Sequence, residues 1–454
     1  MRFETMVFAA LAALSAAATP VVDKVSMCEL GPGTMKVTYT LTGAPAIVTF
    51  GVTTNGVSIG EKEVSHTDGL VNRLVKEDGT YTFLWYADRD CDFEVDAALM
   101  KPVITVWTKY DPPDYVVFDL VDTNILYYTS AENVPDGILA TKYRTTMLPM
   151  RRIRAKNVEW TMGGFGGDMN AAHTDSHQVK MTNDYYIGVF ELTQMQYMYD
   201  TRRMTDYYNY DFFSKVAWQM RPRENCGFYD WMRGAAYPEV PVPPTEAEMW
   251  TATSSYIARF RQRFGMMIEV PSEAQWEFAA RAGTPAGYWG DWSRPVGTDG
   301  DADANLPGRY LWSPEVNGDG ASSTAGVNPG NGKFSAYGPD SLGTAICGTS
   351  GAPNAWGLYD IFGNVEEVTM DYHQEVPSMP ESVSRYGDPN MGGAGKLANG
   401  SNAPGNTTSY IKGKGGSYKK AAQSCVPWLH GMQYETPAQG DRGYRLVIRI
   451  DNEE

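Results

Sequence analysis

The residues best suited to chemistry crowd into one stretch, PNAWGLYDIFGNVEEVTMDYH, residues 353–373. Gly357 and Gly363 open backbone geometry closed to other residues. Asp360, Glu366 and Glu367 flank the second glycine. A glycine turn with carboxylates on both sides can aim carbonyls and side-chain oxygens at one point. Hard cations, Ca²⁺ above all, take such an oxygen cage. Acidic turns are also common, and on local chemistry alone a tight turn with solvated acids is the commoner outcome. The local residues leave both readings open.

Other chemistry is sparse. Five cysteines occur, Cys28, Cys91, Cys226, Cys347 and Cys425, and none form Cys-x-x-Cys, which argues against a zinc ribbon. Cys28 and Cys91 both fall in the N-terminal part and could staple it in an exported chain. His173 and His177 stand four apart, but their glycine-rich flanks argue against a helix, so they read as loop residues. The acid-rich TDGDADAN, residues 298–305, is no EF-hand: Ala304 stands at the turn glycine and Tyr310 at the glutamate. Lys412, Lys414, Lys419 and Lys420 flank a Gly-Gly-Ser turn. They read as solvated lysines ahead of an anion-binding patch. No Ser-His-Asp arrangement and no phosphate loop emerges.

The elements that must hold this stretch divide the chain. At 454 residues it is too long for one ordinary core. Composition is that of a globular protein, 43% hydrophobic and 20% charged. A net charge of −16 argues against nucleic acid or anionic membrane as the main partner and suits a surface that holds cations. Arg2 and the apolar run MVFAALAALSAAA, residues 6–18, read as a signal peptide over 1–18. That run is too short to span a bilayer, and no later one is long enough. The expected location is secreted, periplasmic or cell-surface.

Residues 22–120 read as short strands: MKVTYTLTG, AIVTFGV, YTFLWYA, VITVWTKY and YVVFDL, with hairpin-type turns at Asn55-Gly56 and Asp78-Gly79. This predicts a β-sandwich of immunoglobulin or fibronectin type. Residues 121–149 read as a linker. Beyond it, helices are predicted from about Glu191, from Thr245 with Glu248 as capping partner, and from Ser272 with Gln275, the last stopped by Gly283.

Several collinear motifs carry a family resemblance over residues 150–450. NAWGLYDIFGNVEE, YYIGVFELTQMQY (185–197), VPSEAQWEFAARAGT (270–284), and Gly415-Gly416-Ser417 followed by Cys425 and RGYRL (442–446) resemble the signatures of the formylglycine-generating enzyme, or sulfatase-modifying factor, family. The resemblance implies a C-type-lectin-like α+β domain behind the all-β sandwich, so the predicted class is α+β. It implies one Ca²⁺ site at the Asp360 side chain, the Gly363 and Val365 carbonyls and the Glu367 side chain. It implies a second at Asn305, Leu306, Asp319 and Ala321.

The family's oxidase binds copper through two cysteines in C-x4-C after Gly-Gly-Ser. Copper(I) prefers soft thiolates, so both are required. Here Cys425 fills the second position, with Ser417 opening the motif, and Lys420 stands at the first. An ammonium cannot replace a thiolate. Nothing in the sequence brings Cys347 to the vacancy. Glu366 stands where the family has tryptophan. Copper is therefore not expected, Ca²⁺ is, and Cys425 reads as a packed thiol. The expected function is a calcium-stabilised binding or scaffold module for a protein, peptide or glycan. The alternative is a formylglycine-generating oxidase of sulfatase cysteines, or a related metal-dependent oxidase.

Overall fold

The computed structural model describes residues 19–93, 95–163, 177–201, 217–224, 226–227, 232, 255–284, 344–349, 352–372, 410–418, 425–434 and 440–451. The chain divides into two compact units, Met1–Lys109 and Tyr110–Glu454. Its class is α+β, mostly sheet with few helices.

The first unit holds β1 (Val21–Gly31), β2 (Thr34–Thr42), β3 (Ala46–Thr54), β4 (Val57–Ser58), β5 (Thr67–Gly69), β6 (Arg73–Val75), β7 (Gly79–Tyr86), a one-turn helix α1 (Ala87–Asp90) and β8 (Met100–Trp107). One sheet runs β1-β2-β7-β5, the other β4-β3-β6 with β8 also on β3. The period-2 pattern explains the layering. Met35, Val37, Tyr39 and Leu41 of β2 are buried, while Thr38 and Thr40 face out and meet Thr82 and Thr80 across the ladder at 3.1 and 3.0 Å. Phe50 of the second sheet meets Phe83 of the first edge-on at 5.0 Å, closing the core. Asn55 and Gly56, with φ of 51° and 78°, make the expected tight hairpin between β3 and β4. Asp78-Gly79 differs from expectation. It joins β6 to β7, strands of different sheets, and the Asp78 carboxylate accepts from Ala44 N at 2.7 Å.

The second unit opens with β9 (Tyr115–Asp119), β10 (Ile125–Tyr128), β11 (Met147–Ile153), β12 (Glu159–Met162), β13 (His177–Lys180) and β14 (Tyr185–Gly188). Helix α2 (Gln194–Thr201), α3 (Tyr256–Phe264), β15 (Ile268–Glu269) and α4 (Glu273–Arg281) follow. Last come β16 (Glu366–Tyr372), β17 (Tyr410–Lys414), β18 (His430–Tyr434), β19 (Arg442–Gly443) and β20 (Val447–Arg449). The central sheet has the order β10-β9-β11-β14-β20-β15, and a second runs β18-β17-β16-β19.

Two sequence expectations are corrected here. YVVFDL, assigned to the sandwich, is β9 of this central sheet. The stretch 121–149, expected as a linker, supplies β10 and the start of β11. Alternation marks a strand but not the sheet it joins, and β11 binds β9 on one edge and β14 on the other.

Local signals position the helices. Ser272 caps α4 and Gln275 reaches back to the Ser272 N–H at 2.9 Å, the predicted capping box. Ala282 and Gly283 then turn left-handed, with φ of 48° and 80°, and end the helix. Helix α2 begins at Gln194, where Thr193 and Gln196 cap each other. Thr245 and Glu248 lie outside the described residues. The helix described beyond them, α3, is capped by Ser255.

Candidate metal centre

The motif turn binds the site together. Asp360, Gly363 and Asn364 all take positive φ, at 55°, 82° and 57°. Two non-glycine residues in the left-handed region within one short turn require external restraint. That restraint is visible. Gly363 N donates to Gly415 O at 2.8 Å, and Tyr418 N donates to Asn364 O at 3.0 Å. The Asn364 side chain accepts from Ala345 N at 2.7 Å and donates to Glu191 Oε2 at 2.6 Å. The Gly-Gly-Ser turn thus buttresses the 360–365 turn, and segment 344–349 packs beside it.

Glu367, the second residue of β16, has a different partner. Arg445 grips it in a bidentate pair, Nε and Nη2 lying 2.9 and 2.7 Å from its two oxygens, and Trp276 Nε1 donates to Oε2 at 2.5 Å. Arg445 spends its remaining donors on the carbonyls of Gly188, Val189 and Tyr359. Glu367 is 1% exposed and Arg445 is fully buried.

Asp360 has other company. Its Oδ2 accepts from Gly348 N. One oxygen of Asp360, one of Glu191 and the Cys347 sulfur all lie within 4.8 Å of one another, and all three residues are buried. Cys347 Sγ is 3.6 Å from Glu191 Oε2. Glu191 also accepts from Val365 N at 3.2 Å. Burial, then the charges of Asp360 and Glu367, push the Glu191 carboxyl well above its ordinary range; Arg445 and the Val365 N–H oppose this. Burial, then Glu191 and Asp360, push the Cys347 thiol up as well.

Of the expected calcium ligands, Asp360 and the Gly363 and Val365 backbones thus share one turn. Glu367 stands at its far end, held by Arg445. Asn305, Leu306, Asp319 and Ala321 lie outside the described residues, as do Lys420 and His173. The residues that sequence reasoning missed are Glu191 and Cys347. Glu191 read only as a helix start, and the approach of Cys347 depends on a contact across 156 positions.

Cys425 sits elsewhere. It is 1% exposed and packs with Met162, Val179 and Trp276 in the apolar core, its sulfur 3.9 Å from the Ser417 carbonyl. The Ser417 hydroxyl donates to Asp441 at 3.0 Å. Lys412 and Lys414 are not solvated. Lys412 Nζ meets Glu273 at 2.9 Å; Lys414 Nζ meets Glu273 at 3.2 Å and Glu277 at 3.0 Å, on the buried face of α4. Glu277 in turn holds Arg281 at 2.7 Å. Their basic charge is consumed internally, so neither reading of these two lysines as a surface patch survives.

Among the described residues no helix is long and apolar enough to cross a membrane. No curated protein matches the chain. Solved structures similar to it include three at 18% identity each. Treponema denticola variable protein 1 covers 67% of this chain and 95% of its own, with a TM-score of 0.42. PvdO from Pseudomonas aeruginosa covers 66% and 94%, with a TM-score of 0.38. CarF covers 66% and 99%, with a TM-score of 0.33. Residues 149–450 match the family described as the sulfatase-modifying factor enzyme 1-like domain.

Proposed function

Since the chain belongs to the sulfatase-modifying factor enzyme 1-like family, we propose that it is an exported, cation-stabilised member that binds a ligand and does not oxidise cysteine. The carrying observation is the state of Cys425: sealed in the apolar core, with Lys420 at the first position of the copper pair. Copper(I) chemistry needs two soft thiolate donors, and this pair of positions offers one at most. The apolar leader at residues 6–18 supports export.

Calcium on the family's pattern is the stabilising ion of this reading. The carboxylate of Asp360 and the carbonyls of Gly363 and Val365 are donors of the type Ca²⁺ takes. Glu367 would supply the remaining charge, in competition with Arg445. The ligand is a protein, peptide or glycan; the net charge of −16 disfavours nucleic acid.

Elemental analysis of the mature protein, with copper loading and a cysteine-peptide oxidation assay on the same sample, tests this. A bound divalent cation, no copper and no aldehyde product is the expected result. Stoichiometric copper with turnover would overturn it in favour of a formylglycine-generating oxidase.

A further inference from the structure

Three carboxylates share one buried neighbourhood: Glu191, Asp360 and Glu367. Arg445 is committed to Glu367 and three carbonyls. Arg144 donates through Nη1 and Nη2 to the carbonyls of Cys347 and Leu139, and its charge also acts on Asp360; among the described residues that leaves two guanidinium groups to three carboxylates. Burying carboxylates in excess of cations is costly unless a proton or a metal ion neutralises them. The group placed to complete a metal site is a thiol. Around a tetrahedral zinc with ordinary bond lengths, sulfur and oxygen ligands stand about 3.5 Å apart. Cys347 Sγ and Glu191 Oε2 are 3.6 Å apart.

We propose that Glu191, Cys347 and Asp360 form a site for a borderline divalent cation, zinc in the first instance, with Cys347 as its thiolate ligand. The proposal rests on the reading that a cation sits at Asp360, and it changes the identity of that cation. Calcium takes oxygen donors, whereas a sulfur donor shifts preference to zinc or cadmium. The three ligands come from the segment before α2, the 344–349 segment and the motif turn, so the ion would cross-link three parts of the second unit. On binding, Cys347 loses its proton to solvent and the sulfur lone pair is donated to the metal; no electron transfer is involved.

The test uses the full mature chain, stripped of metal, and titrates Zn²⁺, Cd²⁺ and Ca²⁺ separately. Cadmium reports thiolate ligation through its sulfur-to-metal charge-transfer absorption. One equivalent of Cd²⁺ with this band is expected. The band should vanish in Cys347→Ser and persist in Cys425→Ser. Loss of an outer-shell partner already weakens a metal site about 10–100-fold, so Cys347→Ser should weaken Zn²⁺ by at least about 100-fold and leave Ca²⁺ unchanged. Glu191→Gln keeps one of the two acceptor oxygens that meet Asn364 and Val365 and should weaken Zn²⁺ in the same way; a circular dichroism spectrum checks that each variant folds.

The outcomes separate two failures. If Ca²⁺ binds and Asp360→Asn abolishes it while Cys347→Ser changes nothing and no band appears, the zinc proposal falls and the calcium reading stands. If none of the three ions binds, both fall, and Cys347 is a thiol hydrogen-bonded to Glu191. A cadmium band that survives Cys347→Ser places the thiolate elsewhere and also overturns the proposal.

Discussion

Glu367 and Arg445 form a fully buried bidentate pair that ties the start of β16 to the strand-forming C-terminal segment. Trp276 of α4 caps the same carboxylate. One carboxylate thus joins a helix, a strand and the motif turn. Removing either partner strands a charge in the core. Arg445→Met should destabilise the second unit by about 3–5 kcal/mol, and the double variant Arg445→Met with Glu367→Gln should recover part of that loss. Urea unfolding reads both. A single variant costing under about 1 kcal/mol would show that the pair is dispensable.

The Gly-Gly-Ser turn is structural before it is anything else. Gly415 has φ of 83°, and a Cβ there would sit 2.8 Å from the Ile361 carbonyl and 3.0 Å from Trp276. Left-handed backbone alone costs a side chain about 1–2 kcal/mol. Gly415→Ala should therefore cost more than about 2 kcal/mol in urea unfolding. A neutral result would mean that the 360–365 turn and this one move apart freely.

Thiol accessibility separates the five cysteines. Cys28 is exposed, Cys91 partly so, and Cys226, Cys347 and Cys425 buried. Iodoacetamide on the native protein should label Cys28 first and leave Cys425 untouched until denaturant is added. Mass spectrometry of the digested protein gives the order. Rapid native labelling of Cys425 would remove the main support for a non-oxidase.

Alkaline pH should unfold both units. Burial, then the charges of Glu63 and Asp90, raise the Cys91 thiol from 9.0 to about 12, and burial raises the Tyr127 hydroxyl from 10.0 to about 12. In both cases the folded form keeps its proton longer than the unfolded chain. Their contribution is whole below pH 9 and is lost as pH climbs to about 12. The melting temperature should fall across that window, with tyrosinate absorbance rising at the transition. A flat melting temperature from pH 9 to 12 would count against this.

What the sequence determined by itself is whatever depends on neighbours along the chain. The alternation in β2, the Asn55-Gly56 hairpin and the Ser272–Gln275 capping box are short-range matters of backbone geometry and hydrogen-bond reach. The collinear motifs likewise pointed to the family, because glycines and carboxylates at set spacings are local too. Tertiary structure alone decided the rest. Pairing placed β9 and β10 in the second unit, where alternation is silent on which sheet a strand joins. Charge compensation turned Lys412 and Lys414 inward, against acids of a helix more than 130 residues away. The same long range brought Cys347 to Glu191 and gave Glu367 to Arg445. A buried charge takes whichever partner the packed core brings within reach, and that choice is made in space rather than along the chain.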